Sequence, residues 1–260
     1  MQIAALDSGP GAKAAAALAD ERLLRSSVGL VWLVTASTCV HPYYRSVGTA
    51  YLARLGLGPA WMFLACAAEM VLALRILAKP FGRALAILQI GAVAAFTALL
   101  AYVEPILLAS PFGFLSKNLP FALVVWAAMR MARGDGAPAV HATLRAAAAL
   151  PWLTEGLFPK LLFQQQVELA MAPAAGLTFA SPHVLVATLG VLQLASFVLA
   201  IVLRGAPLRA LLLGQAAALV VLPAVVGAIA PTLWVHPFGP FSKNLPILAA
   251  TWIVARSLRP

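Results

Sequence analysis

Ten residues, Pro111-Phe112-Gly113-Phe114-Leu115-Ser116-Lys117-Asn118-Leu119-Pro120, return 126 positions later as Pro237-Phe238-Gly239-Pro240-Phe241-Ser242-Lys243-Asn244-Leu245-Pro246, with eight identities. The echo continues at the same offset through Trp126 and Trp252 to Arg130 and Arg256. A repeat at fixed offset means that one structural unit is written twice, so the fold must solve the same packing problem in duplicate.

The solvent for both copies is lipid. Of 260 residues, 63% are hydrophobic and 10% charged, whereas soluble chains carry about a quarter charged residues. Apolar stretches near 27–42, 59–78, 83–103, 115–131, 146–163, 183–203, 207–229 and 243–257 approach the ~20 residues that a helix needs to cross a hydrocarbon core. They are apolar all round instead of alternating, which excludes a transmembrane barrel. The expected fold is all-α: an integral membrane protein of eight transmembrane helices in two four-helix bundles. Four helices per unit is an even number, so both copies enter from one side and are parallel repeats.

Residues 1–26 mix Ala with Lys13, Asp20, Glu21, Arg22 and Arg25 and read as a cytoplasmic N-terminal segment instead of a signal peptide. Residues 27–131 form the first unit, 132–143 a linker around Gly134-Asp135-Gly136-Ala137-Pro138, and 144–260 the second unit. With both termini cytoplasmic, all but five of the eighteen Lys and Arg, from Lys13 to Arg259, fall at cytoplasmic helix ends. Topology therefore explains the net charge of +10, and no basic soluble domain is present to hold nucleic acid. The other five, Arg45, Arg54, Lys117, Lys160 and Lys243, share the outer face with Glu104, Glu155 and Glu168.

Ser116 and Ser242 read as helix N-caps followed by lysine, where the helix macrodipole costs a cation about 0.3–1 kcal/mol. Each lysine therefore calls for an anion: an outer lipid phosphate, an internal Glu, or a ligand held on free helix amides. Asn118 and Asn244 follow the two lysines. Glu155 lies inside an apolar run with Trp152 and Lys160, and an intramembrane carboxylate marks either a functional site or a structural ion pair. Lys160 is about 140° round the helix from Glu155, so each needs a partner elsewhere. Repeat symmetry favours Glu155 with Lys243 inside the second bundle and Glu69 with Lys117 inside the first.

Aligned on Trp32 and Trp152, the first unit has Thr35 in place of Glu155 and Val40 in place of Lys160, while Glu69 stands where the second unit has Gln193. The halves keep different polar residues. The candidates for ligand binding or buried ion pairing are Glu69, Lys117, Asn118, Trp152, Glu155, Lys160, Lys243 and Asn244. Cys39 and Cys66 lack the second pair of a thiol relay and read as buried thiols. His41, His141, His183 and His236 are too scattered for a metal or haem site, and no buried Asp is available for a Ser-His-Asp triad. The tryptophans suit an interfacial belt, with Trp32 and Trp152 alternatively covering each bundle's polar pocket.

Trp152-Leu153, Glu155-Gly156-Leu157 and Pro159-Lys160-Leu161-Leu162, then Glu168, Gly176-Leu177, Gly190, Gln193 and the run from His236 to Ala250, together resemble the DoxX-like family of small four-helix bacterial membrane proteins. Leu144 to Arg259 carries the resemblance throughout, and residues 27–133 carry it mainly from Glu69 to the first Ser-Lys-Asn phrase. The resemblance implies a four-helix unit in the bacterial cytoplasmic membrane, found alone, fused to short-chain dehydrogenase-like domains, or linked in name to a thiosulfate:quinone oxidoreductase subunit. By that analogy a quinone is the implied cofactor class, with membrane lipids and a redox protein as partners. The expected function is a non-catalytic subunit that binds a quinone, a lipid or a redox partner at its outer face. A small-solute transporter and a membrane oxidoreductase are the alternatives; a continuous polar path would favour transport, a blind cavity at Glu155 binding or catalysis.

Overall fold

The computed structural model describes residues 10–80, 82–110 and 114–258, all in helices and the turns between them. One order of α-helices occurs twice, with the π turn placed differently in each copy. The first unit runs α1 (Pro10–Thr38), α2 (Pro42–Arg54), α3 (Ala60–Ala78), α4 (Arg83–Val103), a 3₁₀ turn at Pro105–Ala109, a π turn at Phe114–Asn118 and α5 (Leu119–Ala132). The second runs α6 (Ala137–Leu157), a π turn at Phe158–Leu162, α7 (Gln166–Ala174), α8 (Pro182–Val202), α9 (Gly205–Ile229), a 3₁₀ turn at Pro231–Val235 and α10 (Asn244–Ser257).

Helices α3, α4, α8 and α9 are long and apolar enough to cross a membrane, and α1 with α2 makes a fifth span if that pair, bent by 91°, counts as one. The test is thus met by four or five of the eight expected stretches. Helices α5 and α10 have 14 residues each, about 21 Å, which is short of a ~30 Å hydrocarbon core. These short helices are central. They pack with α1 and α6 around one apolar cluster drawn from both units, including Leu24, Val28, Phe121, Val125, Leu144, Ala148, Leu208 and Ile253. Alanines at 127–128, 147–148 and 249–250 are buried there and let backbones approach closely, the main source of helix association in lipid. The outer helices expose Phe63, Leu64, Val71, Leu88, Val191, Leu192, Val198 and Val220. Such a surface is tolerable against lipid tails and aggregation-prone in water.

Arginines tie off the end that carries the inter-unit linker. Arg25 donates to the carbonyls of Ile76 and Leu77 at the end of α3, and Arg145, 120 positions later, does the same for Ala200, Ile201 and Leu203 at the end of α8. Cations at helix C-termini satisfy otherwise unbonded carbonyls and oppose the dipole. Arg256 on α10 pairs with Asp20 on α1, joining the units.

Two boundaries differ from the sequence reading, and two helices are added to it. Helix α1 runs unbroken through residue 26 with Leu24 in the core, so no separate segment ends there. The inter-helix connection shrinks to residues 133–136, because α6 begins at Ala137. Two short helices, α2 and α7, were not anticipated; they lie at the opposite end. Residues 1–9, Pro111 to Gly113 of the first repeated phrase, the Lys13 side chain and Arg259 lie outside the described residues.

Candidate functional site

Prolines shape the turns that deliver the lysines. Pro120 lacks the amide that α geometry would direct to the Ser116 carbonyl, and Pro159 lacks the one for Glu155; at or beside each, the chain widens into a π turn. The N-cap expectation for the serines is corrected accordingly. Asn118 caps α5 and Lys243 caps α10, neither with a side-chain bond. Ser242 instead donates to the Gly239 carbonyl at 3.3 Å, across a turn where Gly239 has φ +57°, a conformation glycine adopts without strain.

The lysines cross between units. Lys117 of the first unit pairs with Glu155 of the second at 2.5 Å, and Lys243 of the second lines the first unit's cavity together with Glu69. This overturns the expected pairings of Glu155 with Lys243 and Glu69 with Lys117. The cause is packing: α5 lies against α6 and α10 against α1, so the start of each unit's last helix abuts the first helix of the other unit. The neighbouring asparagines stay at home. Asn118 donates to Thr97 Oγ1 on α4 at 2.8 Å, and Asn244 to the Leu219 carbonyl on α9 at 3.3 Å. Each turn therefore lends its lysine to one cavity and its asparagine to the other.

The second-unit cavity, about 140 Å³, is lined by Lys117, Trp152, Glu155, Lys160, Glu168, Gln193 and Asn244 within a wall that includes Leu189, Leu219, Leu222 and Phe241. Lys160 pairs with Glu168 of α7 at 2.7 Å, so both cations already hold a carboxylate. Close pairing is needed here, because the desolvation of buried charges otherwise exceeds their attraction. What remains free is Trp152 Nε1, Gln193 Oε1, Asn244 Oδ1 and Glu168 Oε2, buried without a hydrogen-bond partner. Each such orphan costs about 1–3 kcal/mol. A groove of about 470 Å³ between α8 and α9 shares Trp152, Leu189, Gln193, Ala218 and Leu222 with the cavity. Exposed Leu192 and Val221 put that groove on the lipid-facing surface.

The first-unit cavity is larger, about 330 Å³, and lies between α3 and α4 with Trp32, Thr35, Glu69, Asn118 and Lys243 on its walls. Here the tryptophan is committed: Trp32 Nε1 donates to Gln89 Oε1 at 3.1 Å. The equivalent of Gln89 is Gln215, whose Nε2 donates to Ser196 Oγ at 2.8 Å, while its Oε1 and Trp152 Nε1 both lack a hydrogen-bond partner. Glu69 and Lys243 attract one another but form no ion pair among the described residues, and Glu69 Oε2 has no hydrogen-bond partner. Gln89 and Gln215 went unnoticed in the sequence, although they too lie 126 positions apart.

Other candidates settle elsewhere. Trp61, Trp126, Trp234 and Trp252 are exposed on the surface, whereas Trp32 and Trp152 are buried in the cavities. Cys39 and Cys66 are free thiols, the latter 3.4 Å from the Tyr44 hydroxyl. Among the described residues no His, Cys, Asp and Glu group could hold a metal.

A family model described as DoxX-like matches the chain twice, over residues 29–126 and 149–252. Each match begins within the first helix of a unit and ends within its last, so each spans one cavity tryptophan and one Ser-Lys-Asn phrase. Among curated proteins and solved structures, none matches the chain.

Proposed function

This chain belongs to the DoxX-like family, and from that premise we propose an eight-span membrane protein that takes a small amphipathic molecule from the lipid into its second-unit cavity. In this reading α1, α5, α6 and α10 complete the spans with their flanking turns, the two units are parallel repeats, and both termini face the cytoplasm of a bacterial cell. The observation that carries the binding role is the free set Trp152 Nε1, Gln193 Oε1 and Asn244 Oδ1 beside the groove between α8 and α9. Because Lys117 and Lys160 are both paired, an ionic head would lack a counter-charge. The suitable head is neutral, accepting from Trp152 and donating to the two amide oxygens, with its apolar tail in the groove.

A quinone–quinol head fits that description best in its hydroxyl form, and when bound it supplies two-electron, two-proton redox chemistry. The chain's part is to hold it: Trp152 donates to an oxygen of the head, and Asn244 accepts from its hydroxyl. A redox protein would approach at the end carrying α2 and α7. The polar walls of both cavities give way to the shared apolar cluster toward the linker end, which supports binding over transport of a small solute.

Native mass spectrometry of the gently solubilised protein, with extraction of bound small molecules, tests this reading. A hydroxylated amphipath retained by wild type and by Trp32→Phe, and lost in Trp152→Phe, is the expected result. Equal retention by both variants would remove the second-unit cavity from consideration.

A further inference from the structure

We propose that the first-unit cavity is a second and chemically different site, which binds a zwitterionic head made of a primary ammonium and a phosphate or carboxylate. This site stands whatever occupies the second-unit cavity. Glu69 on α3 and Lys243 on the crossed turn both line this space, yet they do not close as Lys117 and Glu155 do at 2.5 Å. Two opposite charges held apart at a low-dielectric cavity are each incompletely compensated. A bridging group with both signs satisfies them together, whereas a simple anion or cation satisfies one and leaves the other.

Asn118 supplies the second observation. It is 5% exposed, and its amide orientation is fixed by a chain of bonds: Thr97 Oγ1 donates to the Val93 carbonyl at 2.7 Å, so that hydroxyl can only accept from Asn118 Nδ2. Asn118 Oδ1 is left buried, unpartnered and on the cavity wall. The cavity therefore offers two acceptors, Glu69 Oε2 and Asn118 Oδ1, opposite one ammonium donor. A primary ammonium carries three N–H donors and can serve both acceptors, while its attached anion meets Lys243. A quaternary ammonium has no N–H to give. A neutral carbonyl head is poorly served, because Trp32 already donates to Gln89.

The mouth between α3 and α4 is apolar. Leu88 and Phe96 are exposed beside Ala65, Ala68 and Ala92. The head can thus arrive on an acyl-chain lipid entering sideways, or free from the aqueous end.

The test uses the full-length protein in detergent micelles. Native mass spectrometry compares retention of phosphoethanolamine, phosphocholine and phosphoglycerol lipids of identical acyl chains, and free O-phosphoethanolamine is titrated in parallel. The expected result is an ethanolamine preference of about tenfold, the scale of one charge-assisted hydrogen bond. Glu69→Gln abolishes that preference, and Trp152→Phe in the other cavity, which breaks no internal hydrogen bond, preserves it. Ala68→Leu separates the sources: loss of lipid retention with free O-phosphoethanolamine still bound identifies the lateral mouth as the lipid's entry, and unchanged retention of both identifies entry from the aqueous end. If Glu69→Gln fails to fold, as judged by its melting temperature, Asn118→Ala keeps both charges and should reduce the preference severalfold. Equal retention of ethanolamine and choline heads by wild type, or a preference that survives Glu69→Gln in folded protein, overturns the proposal.

Discussion

In the second unit the carboxylate stands on the first helix, at Glu155 of α6, and closes on a lysine from the other unit at 2.5 Å. In the first unit it stands on the third helix, at Glu69 of α3, and faces its crossed lysine without closing. The positions left behind hold Thr35 and Gln193. Both cavities keep the tryptophan, the home asparagine and the lysine from across the interface. The wall carrying the negative charge that faces that lysine has changed, and the second cavity adds the Lys160–Glu168 pair. A crossed lysine thus tolerates its counter-charge on either neighbouring helix, closing on Glu155 from α6 and standing open to Glu69 on α3.

The sharpest way to break the comparison is to remove one lysine at a time. Lys117→Met leaves Glu155 buried without its cation and should lower stability by about 3–5 kcal/mol, measured by reversible denaturation in mixed micelles. Lys243→Met, whose pair is already open, should cost clearly less. Equal losses would mean that both pairs are closed in solution.

Helix approach also separates the units. A Cβ added at Gly156 would sit 2.8 Å from the Gly190 carbonyl oxygen and 3.2 Å from the Leu194 amide nitrogen, backbone atoms that cannot swing aside. Gly156→Ala should therefore cost about 1–3 kcal/mol. The equivalent position of the first unit already holds buried Ala36, and Ala36→Gly should cost about 1–2 kcal/mol through backbone entropy and one lost buried methyl, with no backbone clash. Thermal melts of the two variants check the contrast.

The tryptophans sharpen it further. Trp32→Phe strands Gln89 Oε1 and should destabilise by about 1–2 kcal/mol. Trp152→Phe breaks no hydrogen bond within the protein, so stability should change little while ligand retention falls. A Trp152→Phe loss as large as that of Trp32→Phe would show that Trp152 has an internal partner.

A further effect, absent at neutral pH, is one of pH at the end bearing α2 and α7. His236 packs against Tyr43 and Phe238, and burial first, then the Lys243 charge, pushes its pKa from 6.5 down to about 4. Between those values the unfolded chain binds a proton that the folded ring refuses, so stability falls as pH drops from 6.5 toward 4 and is unaffected above 6.5. His236→Asn should flatten that slope in a melting series. An unchanged slope would assign it to another group.

The sequence was most legible where helices face lipid. The stretches 59–78, 83–103, 183–203 and 207–229 fall within two residues of α3, α4, α8 and α9, because an all-round apolar surface reports directly on a lipid-facing helix. The inner helices were less legible, since their ends are set by arginine caps, prolines and π turns instead of by hydropathy. The repeat disclosed the two lysines, and Trp152, Glu155 and Lys160 were visible as polar groups in an apolar run. The crossing was not visible. Which carboxylate a lysine meets depends on α5 lying against α6 and α10 against α1, a tertiary fact that repeat symmetry leaves open. Gln89 and Gln215 share an offset in sequence, but their different partners follow from Ser196, for which the pattern gave no signal.

A double-mutant cycle tests the crossing most directly. Lys117→Met and Glu155→Gln, alone and together, should show a coupling energy of about 2–3 kcal/mol in mixed-micelle denaturation, while Lys243→Met with Glu155→Gln should be additive within about 0.5 kcal/mol. Strong coupling of Glu155 to Lys243 and none to Lys117 would mean that each unit closes on its own lysine, contradicting the crossed arrangement.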